Sequence, residues 1–233
     1  MRRTISRAAF SAALLLPATA WAGDAGGFGD SGQVAITWDQ SLASTYLGTI
    51  TSGIGQIGAV LPPPSWSMLD AQYTSFANNG GSVTRFGLAP TLDYFVIDNL
   101  SLGAQLLFGI ATVSPPSGQG AQSTTLTTFG IAPQIGYDVR LGDSFSFWPK
   151  AFFAYATTSE SNNGPSGAVA SIGLFAPLLY HPVRHFYIGL GPDVSTQVGN
   201  SSSQSNGNTT TTTYNDKATA FGLMATFGGY FGG

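Results

Sequence analysis

The alternation of apolar and polar positions is clearest between Phe129 and Lys150, where two arms flank a short turn. Every second residue from Phe129 to Val139 is apolar or proline, and Phe145 to Ala151 shows the same pattern. A strand turns successive side chains to opposite faces, so both arms are predicted to be strands with one apolar face. Leu141-Gly142-Asp143 is typical of a tight turn. The stretch is therefore predicted to be a β-hairpin.

This hairpin is one of three copies. Phe129-Gly130-Ile131-Ala132-Pro133 is matched upstream by Phe86-Gly87-Leu88-Ala89-Pro90 and downstream by Ile172-Gly173-Leu174-Phe175-Ala176-Pro177. The three prolines are 43 and 44 positions apart. A period of this size holds two strands, a short turn and a longer loop, which is one up-and-down hairpin per repeat. The extra residue in the third copy would need a β-bulge to keep Pro177 facing outward with the others.

The same alternation predicts eight strands, joined alternately by short turns and long connections. The longest connections are Ser41–Gly81 and the Asn/Ser/Thr-rich Gly199–Tyr214. An even strand count with this asymmetry is typical of bacterial transmembrane barrels. We therefore predict an all-β fold over residues 33–233, an eight-stranded antiparallel up-and-down transmembrane β-barrel. The predicted strands are Gln33–Asp39, Arg85–Val96, Leu100–Gly109, Phe129–Val139, Phe145–Ala151, Ala168–Tyr180, Phe186–Thr196 and Ala218–Phe231.

Composition decides which face of the strands points outward. Only 8% of the 233 residues are charged, against about a quarter in soluble globular domains. So few charges cannot cover a fully solvated surface, so the apolar face is predicted to meet lipid. The mature chain has no uninterrupted apolar run long enough for a transmembrane helix. It also has no cysteine, which excludes disulfides, thiol nucleophiles and cysteine-based metal sites.

The N-terminus has the three parts of a secretory signal peptide. Three arginines lie within the first seven residues, an apolar core follows from Ala8 to Leu16, and Ala20-Trp21-Ala22 forms an A-x-A cleavage site. We predict a signal peptide over residues 1–22 and a flexible lead-in over residues 23–32. Cleavage would leave five of the eight basic side chains against eleven acidic ones. Nucleic acid is therefore not an expected partner.

The signal peptide, the eight alternating strands and the terminal segment Gly222–Phe231 together resemble the small outer-membrane β-barrels of the OmpA/OmpX-like superfamily. The resemblance implies a monomer in the outer membrane, in contact with lipid and lipopolysaccharide. It also implies that Tyr230 and Phe231 form the C-terminal signal read by the barrel-assembly machinery. Gly232 and Gly233 depart from the family pattern, in which the aromatic residue is terminal.

Charged residues on the inward face are the first candidates for a site. A barrel of eight strands is filled by side chains, and buried charges persist when they are paired. The favoured interpretation is a lumen network in which the basic side chains neutralise some carboxylates, and the alternative is a proton or ion path. The predicted members are Asp39, Arg85, Asp93, Asp138, Lys150 and Asp193.

Aromatic residues and histidines mark the short-turn end. Outward Tyr94, Tyr137 and Tyr180 are predicted to form an aromatic girdle at the membrane interface, whereas Trp148 is predicted to fill the lumen. His181 and His185 lie four residues apart in a predicted turn without other ligand types, so a solvated turn is favoured over a metal site. No cofactor is expected.

Function is predicted from architecture. The favoured hypothesis is a non-enzymatic outer-membrane protein with a structural or surface-interaction role, whose long loops could bind a surface ligand. Three alternatives stay open, namely a narrow pore or carrier for small or apolar solutes, a lipid-modifying enzyme and a secreted soluble barrel. The histidines lie at the inner turns, which argues against a Ser-His hydrolase acting at the outer side.

Overall fold

The computed structural model describes residues 27–47, 69–75, 81–115, 123–161, 166–205, 209–214 and 218–233. The predicted signal peptide lies outside these residues. The described residues form fourteen strands and no helix. The strands are β1 Val34–Leu47, β2 Leu69–Ser75, β3 Ser82–Leu88, β4 Thr91–Ile97, β5 Leu100–Ser114, β6 Thr124–Tyr137, β7 Val139–Arg140, β8 Phe145–Phe147, β9 Lys150–Glu160, β10 Ser166–Phe175, β11 Leu178–Val183, β12 Phe186–Ser205, β13 Thr209–Tyr214 and β14 Thr219–Phe231.

Eight of these strands close a ring. In order around the barrel they are β1, β4, β5, β6, β9, β10, β12 and β14, and every pairing is antiparallel. The first and last strands close the ring, with Val34 opposite Phe231 and Leu47 opposite Thr219. Closure pairs the strand edges that an open sheet would expose. The predicted eight-stranded antiparallel barrel is therefore confirmed.

Prolines divide three walls of the barrel into shorter strands. Pro90 lies between β3 and β4, Pro149 between β8 and β9, and Pro177 between β10 and β11. Proline has no N–H to donate to a ladder. The carbonyl oxygen of each of these prolines still accepts a backbone hydrogen bond of 3.0 Å from a neighbouring strand. The wall therefore stays hydrogen-bonded across the prolines.

Pro177 differs from the expectation. Phe175 and Pro177 are buried, whereas Leu174 and Leu178 are exposed. The extra residue in the third copy therefore turns its proline inward. The predicted bulge is also wrong, because the irregularity in the β10–β12 register lies between Ala170 and the next residue, away from the proline. The inserted residue therefore moves Pro177 to the inner face of the strand, and no bulge forms next to the proline.

Both long connections contain more strand than predicted. Within Ser41–Gly81, β1 continues to Leu47 and β2 pairs with β3; residues 48–68 and 76–80 lie outside the described residues. Within Gly199–Tyr214, β12 continues to Ser205 and pairs with β13 from Asn200 to Tyr214. Low hydrophobicity predicted a loop there. Threonine favours the extended backbone, and β12 and β13 pair there through their backbone groups.

Exposure alternates along the ring strands. Leu92 and Tyr94 on β4 are about half exposed, whereas Asp93 between them is fully buried. Large apolar side chains are exposed on the outer surface of every ring strand, for example Ile36 on β1 and Leu106 on β5. The wall is therefore apolar outside and packed inside. No helix in the described residues is long and apolar enough to cross a membrane.

The interior has three layers. At the short-turn end, which carries the Asp98-Asn99 and Arg184-His185 turns, an aromatic floor consists of Phe28, Ala35, Phe95, Trp148, Leu179, Tyr187 and Tyr230. Further along the axis lies a polar layer, with Thr37, Asp39, Thr91, Asp93, Gln134, Lys150, Asp193 and Thr226. Beyond it an alanine layer consists of Ala89, Ala132, Ala154, Ala156 and Val169, packed against Leu107 and Phe152.

Candidate functional site

Lys150 is the centre of the polar layer. Its Nζ atom lies 3.8 Å from Oδ2 of Asp39 on β1 and 3.8 Å from Oδ2 of Asp93 on β4. The lysine side chain is only 2% exposed, and its ammonium group also lies 4.5 Å from the ring centroid of Trp148. One cation thus sits between two carboxylates and an aromatic face, which is a favourable environment for a buried charge.

Neutral side chains hold the two carboxylates in place. Gln134 Nε2 donates to both Asp93 oxygens at 2.8 Å, and Thr91 Oγ1 donates to Asp39 Oδ2 at 3.3 Å. Hydrogen bonds to a charged group are stronger than those between neutral groups. The polar layer is therefore a connected network built from β1, β4, β6 and β9.

The network leaves buried polar atoms without protein partners. Among the described residues, both carboxylate oxygens of Asp193, Oδ1 of Asp39, Nζ of Lys150 and Oγ1 of Thr226 have no hydrogen-bond partner. Buried polar groups need hydrogen bonds, and in a polar cavity water supplies them. The layer contains three carboxyl groups and one ammonium group, and Asp39 and Asp93 lie beside the ammonium group. The polar layer is thus a buried site rich in carboxyl groups.

Two predicted members of the charge network lie outside this layer. Arg85 on β3 is exposed, because β3 lies beyond the alanine layer, toward the end of the barrel that carries the long loops. Asp138 follows β6 at the short-turn end and is buried. Burial raises the pKa of the Asp138 carboxyl group to about 6, against the opposing effects of the Ser146 hydroxyl and the Arg140 charge. The predicted single network is therefore divided along the axis.

The N-terminal lead-in is part of the floor. Residues 23–26 lie outside the described residues, but Gly27–Gln33, which we name the plug, pack into the short-turn end. Phe28 is buried, and its ring centroid lies 5.1 Å from those of Trp148, Tyr187 and Tyr230. Within the predicted lead-in, Phe28 and Gly29 are thus buried, whereas the flexibility of the segment stays a prediction. A lone phenylalanine among glycines and aspartates was the available sequence signal.

Polar contacts attach the plug to the turns. Arg140 Nε donates to the Phe28 carbonyl oxygen at 3.1 Å, and its guanidinium group forms an ion pair with Asp30. The Asn99 backbone N–H donates to the Gly29 carbonyl oxygen at 2.6 Å. The Ser31 N–H donates to the Asp98 carboxylate at 3.0 Å. The plug is therefore held by turn residues over most of its length. At its end the Gly32 N–H donates to the Phe95 carbonyl oxygen and the Phe95 N–H donates to the Gln33 carbonyl oxygen, both at 2.8 Å.

The chain end packs beneath the same floor. Tyr230 is buried with the aromatic floor, whereas Phe231 is exposed on the outer surface. Gly232 and Gly233 have φ angles of 83° and 102°, which favour glycine. A Cβ atom on Gly232 would lie 3.0 Å from the Gly32 carbonyl oxygen. The two residues that depart from the family pattern thus fold the terminus against the plug.

The histidines occupy different environments. His181 is half-buried against Phe28, and its Nε2 atom lies 3.0 Å from Ser146 Oγ, whereas His185 Nδ1 lies 3.1 Å from the Tyr230 carbonyl oxygen. His181 therefore does not lie in the solvated turn expected for it. Among the described residues His181 Nδ1 has no hydrogen-bond partner, so no carboxylate orients it as in a catalytic triad. No group of three metal-ligating side chains occurs there either.

The predicted girdle residues share the outer face of their strands. Tyr94, Tyr137 and Tyr180 are all exposed on the outer surface near the short-turn end. Trp148, in contrast, is fully buried in the aromatic floor. The alternation of faces thus separates the outward tyrosines from the inward tryptophan.

Fold and interior together define a class, the closed eight-stranded antiparallel β-barrel with a side-chain-filled lumen. A scan against protein-family models found no match, and a search of the curated proteins found no relative. The functional argument therefore depends on the chain's own residues.

Proposed function

We propose that this protein is a bacterial outer-membrane barrel, closed in its resting state, that anchors extended strands at the cell surface. The observation that carries the proposal is the alternation of exposure around the whole ring, with apolar side chains outside and acidic, amide and hydroxyl groups inside. A soluble barrel of this size would expose that apolar wall to water, at a cost that burial in lipid removes. The tyrosines near the short turns fit an interfacial girdle.

The surface role follows from what extends beyond the ring. The β12–β13 ribbon is rich in serine and threonine, and β2 adds a further strand to β3. Polar ribbons of this kind suit the extracellular side, where barrels carry their long loops. We propose that residues 1–22 direct export, that Tyr230 and Phe231 engage the barrel-assembly machinery, and that lipid and lipopolysaccharide cover the wall of a monomer. The proposal includes no enzymatic activity.

The test combines location and topology. The full chain is expressed in a Gram-negative host, and the outer-membrane fraction is run on a gel with and without boiling. The proposal predicts that boiling shifts the migration and that protease added to intact cells cuts only the long connections. Partition of the processed protein into the aqueous phase without detergent would instead identify a secreted soluble barrel. Altered lipid A on overexpression would favour the lipid-modifying enzyme.

A further inference from the structure

A single side chain closes the axis of the barrel at the floor. Five rings surround Phe28, each from a different part of the wall, and all five centroids lie 5.1–5.2 Å from the Phe28 centroid. Equal distances to rings on all sides place Phe28 at the centre of the lumen. The surrounding rings belong to Phe95, Trp148, His181, Tyr187 and Tyr230.

Phe28 belongs to the plug and not to the wall. Residues 28–31 are attached to the wall by hydrogen bonds to turn residues and by the ion pair of Asp30 with Arg140, whose side chain is 45% exposed. Exposed ion pairs contribute little stability, and the backbone pairing with the wall begins only at the end of the plug, where Gly32 and Gln33 exchange hydrogen bonds of 2.8 Å with Phe95. Movement of residues 28–31 about Gly32, whose φ angle of 86° favours glycine, would therefore remove the axial ring and leave the ladders of the barrel in place.

The layers above the floor suit the passage of cations. The polar layer contains the carboxyl groups of Asp39, Asp93 and Asp193 and one ammonium group, and several of its buried polar atoms would bind water that enters the lumen. Beyond it, the alanine layer is formed mainly by four alanines, together with Val169, and Leu107 and Phe152 pack against it. A lumen rich in carboxyl groups attracts cations and repels anions once water enters it.

We propose that the barrel is a latent cation-selective pore for small monovalent ions, that Phe28 is its axial stopper, and that release of the plug opens it. This inference depends on the proposed membrane insertion. It adds a conducting state to a barrel that is closed at rest. The plug's attachment then sets the fraction of time for which the pore is open.

The experiment measures single-channel currents of the purified full-length protein in planar bilayers with a KCl gradient. Wild type is expected to open only rarely, and Phe28→Ala is expected to show frequent discrete openings with a reversal potential near that of K⁺. Phe145→Ala is the matched control, because Phe145 is an exposed ring on the outer surface at the same end of the barrel. In the Phe28→Ala background, Asp193→Asn is expected to reduce the preference for K⁺ over Cl⁻.

A second variant keeps the proposal falsifiable if Phe28→Ala does not fold. Arg140→Ala leaves the floor rings intact and removes the hydrogen bond to Phe28 and the ion pair with Asp30. It is expected to raise the open probability about ten-fold, which corresponds to about 1.4 kcal/mol of lost plug attachment. Both variants are first checked for heat-modifiable migration, and failure of wild type in that check would overturn membrane insertion itself. Folded variants that stay silent, or that prefer anions, would overturn the stopper and leave the barrel proposal standing.

Discussion

The ammonium group of Lys150 lies 3.8 Å from the carboxylate of Asp93, and the two side chains are 2% and 0% exposed. Removal of one member of a buried ion pair leaves an uncompensated charge and costs about 3–5 kcal/mol. We therefore expect Lys150→Met to lower the free energy of unfolding by an amount in that range, measured by urea titration in detergent micelles. Arg184→Met, at an exposed basic residue of the turn before β12, is the control and is expected to change the free energy of unfolding by less than about 0.5 kcal/mol.

A double variant separates charge from packing. Lys150→Met combined with Asp93→Asn removes both the ammonium group and one facing carboxylate. If Lys150→Met lowers the free energy of unfolding because it leaves an uncompensated charge, the double variant is expected to be more stable than Lys150→Met alone. Equal or greater loss in the double variant would show that the lysine contributes mainly through its packed stem.

Gly228 on β14 occupies a position that has no room for a side chain. A Cβ atom there would lie 2.4 Å from the Ile36 carbonyl oxygen and 2.6 Å from the Tyr187 hydroxyl. Gly228→Ala is therefore expected to destabilise the barrel by about 1–3 kcal/mol, because backbone atoms of β1 must move. Gly199→Ala is the control, since its nearest contact would be at 4.0 Å. Similar unfolding midpoints for the two variants would contradict the close approach at the closing seam.

The buried carboxyl group of Asp138 is expected to make the stability of the protein depend on pH. Burial raises its pKa from 3.8 to about 6, so between these values the folded protein binds a proton that the unfolded chain releases. Stability from this group is therefore greatest below about pH 4 and falls as the pH rises through 6, by at most roughly 3 kcal/mol. Asp138→Asn is expected to be more stable than wild type at pH 8. The difference between the two proteins should disappear near pH 4, and an unchanged difference would contradict the assignment.

Arginine substitutions at Leu106 and Val183 test whether lipid covers the outer wall at two different depths. Both are exposed, but Leu106 lies near the middle of β5 and Val183 at the short-turn end of β11. An arginine on the lipid face costs about 2–4 kcal/mol at the bilayer midplane and about 0–1 near the interface. Leu106→Arg is therefore expected to lower stability in liposomes much more than Val183→Arg. Two small, equal effects would show that water covers both positions.

The sequence alone was sufficient to predict the wall of the barrel, because the alternation of inward and outward residues can be read from neighbouring positions. It predicted the number of ring strands and the face of Asp93 and Lys150 from their neighbours alone, although the fifth strand, predicted over Phe145–Ala151, continues as β9 to Glu160. It failed where the chain meets itself over long distances. Phe28 finds its partners up to 202 positions away at Tyr230, and no local pattern predicts such a contact.

Two other differences have physical causes of their own. The Gly199–Tyr214 segment was predicted as a loop because it lacks apolar residues, yet β12 and β13 pair through backbone groups that need none. Arg85 lies on the same face of β3 as the buried Gly87. The alternation of residues predicts this face, but it does not predict the position of the side chain along the barrel axis. Height along the axis depends on strand stagger around the closed ring, which places this arginine beyond the packed layers.

The central claim is that lipid surrounds the middle of the wall, and the absence of cysteine allows a direct measurement. A spin label on Leu106→Cys, in protein reconstituted into liposomes, reports collision rates with oxygen, which concentrates in lipid, and with a water-soluble nickel complex. We predict high oxygen and low nickel collision rates at Leu106→Cys, and the reverse order at Val183→Cys. Nickel collision rates at Leu106→Cys as high as at Val183→Cys would contradict the account, because the outer wall would then face water.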